Sequence, residues 1–146
     1  PTDVEFVVGT GLFGAAAGKF FLNNGGTAPV FSVNQHTYYI SPDGMFSGAY
    51  GGNTSSGVGA GAVNMQLAIP FQAETLTDGE LSIGAGTFYG AVTTPAGVFD
   101  IQTYNGVTYA EFPYVTPAAV GYLQNAAAVA DSEIKLHYQF YPRVTQ

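Results

Sequence analysis

The chain has no cysteine and no tryptophan, and only Lys19, Lys135 and Arg143 carry positive charge. Each shortage closes off some chemistry. Without thiols there is neither a disulfide framework nor a thiolate nucleophile. Three scattered cations cannot neutralise a run of phosphates, which excludes nucleic acid and an anionic membrane surface as partners. No apolar run approaches the roughly 20 residues of a membrane-spanning helix. Ionised side chains make up 9 % of the chain, with a net charge of −7, where an average domain carries roughly 25 %. Much of the exterior must therefore be neutral polar or apolar. A lone monomer seldom exposes large apolar patches, so contact with other protein subunits is expected.

What is abundant is glycine, with 20 residues, and aromatic side chains, at 14 % and all Tyr or Phe. Disordered chains are poor in aromatics and rich in charge, so a folded chain is expected. Its 146 residues suit one domain, 1–146, with a real core. The first residues, Pro1-Thr2, fit removal of an initiator Met better than signal-peptidase cleavage, so synthesis in the cytoplasm is expected.

The segment 97–112, GVFDIQTYNGVTYAEF, organises the reading. Asn105-Gly106 tolerates the positive φ that both central positions of a type I′ turn demand, which makes it a strong hairpin signal. A two-residue loop sets Tyr104 opposite Val107, Ile101 opposite Ala110 and Phe99 opposite Phe112. Phe99, Ile101, Ala110 and Phe112 then share one face, while Tyr104, Gln102 and Tyr109 share the other. Ser41-Pro42-Asp43-Gly44 predicts a second hairpin, between strands at 37–40 and 45–47, and Asp78-Gly79 a third, between 73–77 and 80–83. Period-two alternation predicts further strands at 2–8, 62–69 and 132–141, with shorter ones at 19–22, 30–33 and 87–93. Residues 48–61 read as a flexible loop or as a glycine-rich segment pressed against another backbone. Thr116-Pro117 and the alanines after it predict one short helix over 117–130. About ten short strands with at most that one helix define an all-β fold, an antiparallel β-sandwich or barrel of jelly-roll-like character.

Chemical motifs are sparse. Gly9, Gly11 and Gly14 after VEFVV resemble the dinucleotide-binding fingerprint, but the following strand ends at Asn34, where that fingerprint wants an acid. The remainder is hairpins rather than alternating helices, so no cofactor is expected. Across the hairpin, Asp100 and Glu111 face each other in the two-residue register. Like charges directly opposite destabilise a sheet, so either one turns to solvent or a hard cation sits between them. Solvated edge charges are the favoured reading, and Asp100 and Glu111 are the weak metal candidates. His36 and His137, the only imidazoles, read as outward strand residues or subunit contacts. No G-x-S-x-G elbow occurs, and no enzyme is expected.

The composition favours a non-enzymatic assembly subunit, specifically a virion protein such as a phage capsid decoration (cement) protein, made in the host cytoplasm. Its partners are further copies of itself or other structural proteins of the assembly. The expected interface residues are Val4, Phe6, Val8, Tyr50, Tyr138 and Tyr141, with 2–8 and the tail 142–146 as arms. Terminal strands can gain main-chain hydrogen bonds by adding to a neighbour's sheet edge. Two alternatives stand beside it: a secreted filament or surface-layer subunit joined by donor-strand exchange, and a carbohydrate-binding β-sandwich with a shallow Tyr-lined groove.

Overall fold

Strict alternation of apolar and polar residues builds the central strand of the molecule. Ile134, Leu136, Tyr138 and Phe140 are buried while Lys135, His137 and Gln139 point to solvent, as a strand with one covered face requires. A computed structural model of the chain describes residues 21–32, 35–54, 58–74, 79–90, 97–115 and 120–143. The strands are β1 (Phe21–Leu22), β2 (Gln35–Ile40), β3 (Phe46–Asn53), β4 (Gln66–Ala68), β5 (Glu80–Tyr89), β6 (Gly97–Tyr104), β7 (Tyr109–Glu111), β8 (Pro113–Val115), β9 (Val120–Tyr122) and β10 (Glu133–Phe140). Eight form one curled antiparallel sheet in the order β1-β4-β7-β6-β5-β10-β3-β2, and β8 pairs with β9 in a small second sheet. The fold is all-β, as expected, with the character of a sandwich or half-barrel.

The concave side of the sheet is filled by rings and aliphatic chains. Phe99 and Phe112 meet at 5.0 Å between centroids, Phe21 and Phe31 at 5.3 Å, and Phe46 and Phe140 at 5.4 Å. Met65, Ile69, Ile101, Leu123 and Ala128 close the remaining space. Several glycines in strand interiors lie beneath aromatic rings. A Cβ added to Gly48 would sit 2.5 Å from Cζ of Tyr138, and one added to Gly86 would sit 2.7 Å from Cζ of Phe99. The ring thus covers the backbone that the missing side chain leaves bare, which offsets the weakness of glycine in a strand.

The Ser41–Gly44 turn joins β2 to β3 as expected, with Gly44 N–H donating to the Ser41 carbonyl and Gly44 at φ +94°. Other expectations are corrected. The organising hairpin forms, but in another register: Gln102 lies opposite Glu111 and Thr103 opposite Ala110, so the loop is four residues, 105–108. Residues 80–89 are one continuous strand, where 80–83 and 87–93 were expected as two. The Gly84–Gly86 stretch is strand interior, carrying a bulge between Ser82 and Gly84.

No helix forms over the described part of 117–130. Residues 120–122 are β9, and only Asn125–Ala127 makes a 3-10 turn. Its backbone is committed elsewhere: Leu123 N–H donates to Phe112, Asn125 N–H to Val63 and Ala126 N–H to Gly61. Ala127 and Ala128 lid the core, and tertiary bonding overrides the alanines' helix propensity. Of the glycine-rich 48–61, β3 takes the start, and Gly59 is pressed against the Asn125 carbonyl, where a Cβ would come within 2.2 Å. Strand 2–8 and Asp78 with the residues 75–77 before it lie outside the described residues.

Candidate functional site: the outward face of the sheet

One face of the sheet is spent on the core, so any site on the sheet belongs to the other. Pairing sorts the outward side chains of β2, β3, β10 and β5 into rows that cross the strands. One row is Tyr39, Ser47 and Gln139. The next is Thr37, Ala49, His137 and Ala85. Between them run Tyr38, Gly48, Tyr138 and Gly84, whose position in the alternation leaves only backbone on the outward side. The result is an open groove of about 660 Å³ lined by these residues together with Ser82 and Ile83. No lining residue is Asp, Glu, Lys or Arg. At the β5 end the Ser82 hydroxyl donates to Asp100.

Further along the same face the character changes. Lys135 pairs with Glu133 at 3.7 Å, both side chains in solvent. Beyond that pair stand Tyr89, opposite Glu133, and Val98, opposite Thr87. The chain leaving β7 runs on antiparallel to β6 as β8, which packs against β6. Val115 of β8 lies directly opposite Val120 of β9. Tyr89, Val98, Val115 and Val120 are 62 %, 74 %, 81 % and 63 % exposed. Among the described residues, then, Tyr89 and Val98 stand uncovered at one end of the outward face, and Val115 and Val120 stand uncovered as a pair on the small sheet that packs against β6.

A third feature is a buried carboxylate. Glu111 accepts from the Tyr104 hydroxyl at 2.8 Å and from the Gln66 amide at 2.9 Å. Both donors are neutral, and they come from β6 and β4 on either side of β7. Burial first, then hydrogen bonds with Glu111 and Tyr122, push the Tyr104 phenol far above the ordinary tyrosine range. The cluster pins three strands together.

The expected site residues divide accordingly. Asp100 and Glu111 do not face each other: Asp100 stands opposite Ala85 and Glu111 opposite Gln102, so the like-charge pair that motivated a cation does not form. Among the described residues, no group of three or more His, Cys, Asp or Glu side chains could hold a metal ion. Tyr50 and Tyr138 are buried in the chain's own core, where desolvation raises both phenols. What they contribute is internal packing. Tyr141 is exposed, and its hydroxyl donates to Asp43 at 2.8 Å. Of the tail, Pro142 bridges Ala73, and Arg143 N–H donates to the Gln72 carbonyl. Val4, Phe6 and Val8 lie outside the described residues, as does the side chain of His36.

Two surfaces went unread in the sequence. The groove depends on which strands neighbour β10, and no local pattern carries that. The exposed apolar side chains had a weak local sign in Val115 and Val120, which flank 116–119 and break the alternation expected of a covered strand. No protein-family model, no curated protein and no solved structure matches the chain.

Proposed function

We propose that the chain is a non-enzymatic structural subunit that docks onto other protein, and that the assembly it joins is a virion, with the chain as a decoration or cement protein on a capsid. The observation that carries this reading is the exposure of four large apolar side chains, Tyr89 and Val98 at one end of the outward face and Val115 and Val120 paired on the small sheet that packs against β6. Exposed aromatic and branched apolar groups with charge at their rim are what a protein–protein interface presents. Here the rim is the Lys135–Glu133 pair. Strand β2, an edge of the sheet among the described residues, adds to the argument. Gln35–Ile40 carries no charged residue, and edges left without charge or proline are open to pairing with a neighbouring strand. The sparse charge of the whole chain agrees with both.

The test is the native mass of the chain and of a V98E/V115E double variant. A species several times 15.2 kDa, or saturable binding to a larger particle, lost in the double variant while its thermal unfolding is unchanged, is expected. A bare monomer at high concentration that binds no larger body, or assembly that the double variant leaves intact, would overturn the proposal.

A further inference from the structure

The groove between the Tyr39–Gln139 row and the Thr37–Ala85 row is a second surface, separate from the exposed apolar side chains. We infer that it is a binding site for an uncharged oligosaccharide segment, with Tyr39 as the stacking platform and Ser47, Thr37, His137 and Gln139 as the hydrogen-bonding groups.

Three observations carry this. First, the lining holds hydroxyls, an amide and an imidazole but no Asp, Glu, Lys or Arg, and Asp100 at its β5 border accepts from the Ser82 hydroxyl. An anionic ligand would meet no lysine or arginine there, and a purely apolar one would strip water from those groups without pairing them. A neutral ligand rich in hydroxyls avoids both penalties. Second, the groove crosses β3 and β10, which lie inside the sheet and are paired on both sides. Their main-chain groups are already bonded, so an extended peptide cannot dock by adding a strand. Recognition must come from side chains, which suits a ligand that brings its own donors and acceptors. Third, the dimensions fit. Four strands with three gaps of roughly 4.8 Å give a trough about 14 Å long, and its 660 Å³ is within the range of about 300–1,000 Å³ typical of ligand sites. The floor is main chain, because the row between turns its side chains to the other face, while Ala49 and Ala85 keep one wall low. Tyr39 stands at the β2 end, exposed, where its ring can lie against the apolar side of a pyranose.

The test uses the intact chain and amide-resolved NMR titration with the neutral tetrasaccharides of glucose, mannose, galactose and N-acetylglucosamine. A galacturonate tetramer serves as the charged counter-probe and a capped Gly-Ser octapeptide as the peptide counter-probe. Saturable shifts confined to 37–39, 47–49, 82–85 and 137–139 are expected with at least one neutral sugar. Tyr39→Ala and Gln139→Ala should each weaken that binding by about tenfold or more, equivalent to about 1.4 kcal/mol. Both side chains are exposed, so thermal unfolding should move little, and the V98E/V115E variant should bind the sugar as the parent does. The inference is overturned by a panel that gives no saturable shift, by binding that both groove variants leave unchanged, or by equal binding of the galacturonate or the peptide. None of these outcomes depends on whether the chain assembles.

Discussion

Adding one methyl group at Gly48 should destabilise the protein, and removing the Tyr138 ring should reverse the sign of that effect. Gly48 lies in β3 beneath the Tyr138 ring of β10, and a Cβ there would come within 2.5 Å of Cζ and 2.6 Å of the hydroxyl oxygen. The ring has little room to yield. It is buried, stacked on Phe140 at 11° and 6.5 Å between centroids, and packed against Phe46 at 6.1 Å. Forcing a methyl into such a contact costs about 1–3 kcal/mol. Against this, replacing a strand-interior glycine by alanine removes unfolded-state freedom and returns about 0.5–1 kcal/mol. The clash wins, and Gly48→Ala should lose about 1–2 kcal/mol net.

In a Tyr138→Val background the ring is gone. That variant alone should cost on the order of 3 kcal/mol, as large-to-small core changes do. Adding Gly48→Ala to it should then stabilise by about 0.5–1 kcal/mol, because only the backbone term is left. Urea unfolding of the four proteins gives the coupling energy directly, expected near 2 kcal/mol. Gly106→Ala is the control. Gly106 has φ +82° with nothing within 4 Å of a Cβ, so its cost is conformational and should be the same in both backgrounds. If Gly48→Ala carries an equal penalty with and without the ring, the account of glycine covered by aromatics is wrong.

Glu111→Ala strands the Gln66 amide and takes from the Tyr104 hydroxyl one of its two partners, leaving Tyr122. It should cost about 1–3 kcal/mol, the loss for one stranded buried donor, with less-than-additive loss when combined with Tyr104→Phe; a loss below about 0.5 kcal/mol by urea unfolding would show that the cluster does not pin the strands. Burial raises Tyr50 and Tyr138, and burial with hydrogen bonding raises Tyr104, so the stability these phenols contribute is complete below the unfolded value of about 10 and is lost as pH rises towards the folded values. Ultraviolet titration should therefore find them ionising only with loss of the β-sheet circular dichroism signal, and reversible ionisation of all ten tyrosines in folded protein would contradict this. Hydrogen bonds from the Ser41 and then the Tyr141 hydroxyl lower Asp43, so its contribution holds above the unfolded carboxylate value and fades as pH falls through the folded one. Tyr141→Phe should raise the Asp43 titration midpoint measured by NMR, and an unmoved midpoint would mean that this hydroxyl does not hold the carboxylate.

The faces of the strands were legible where the partners were not, and the organising hairpin shows why. Asn105-Gly106 announces a two-residue loop, yet Asn105 N–H donates instead to the Gly79 carbonyl and the Thr103 hydroxyl to the Tyr109 carbonyl. The loop widens by two residues. Side chains alternate with a period of two, so a shift of two keeps every residue on its face while changing every neighbour. Phe99, Ile101, Ala110 and Phe112 are therefore buried as expected, while the Asp100–Glu111 pairing dissolves. The same even-numbered ambiguity acts wherever a strand is read from alternation alone.

Side chains on the covered face are selected one strand at a time, since each must be apolar whatever lies beside it. A surface feature is instead a row across strands, and its members are far apart in sequence: Tyr39, Ser47 and Gln139 in one row, Thr37, Ala49, His137 and Ala85 in the next. Placing them together requires the order β5-β10-β3-β2, which closes with the last strand of the chain inserted between two earlier ones. Tyr50 and Tyr138 illustrate the converse error. A tyrosine in a strand reads equally as an interface ring or a core ring, and here Tyr138 is claimed by Gly48 and Tyr50 by the space beside Phe21, at 6.2 Å between centroids. Glycine on one strand decides what the aromatic on the next is for. In a chain this rich in both, the pairing of strands, more than the identity of any one residue, sets which rings are left at the surface to bind.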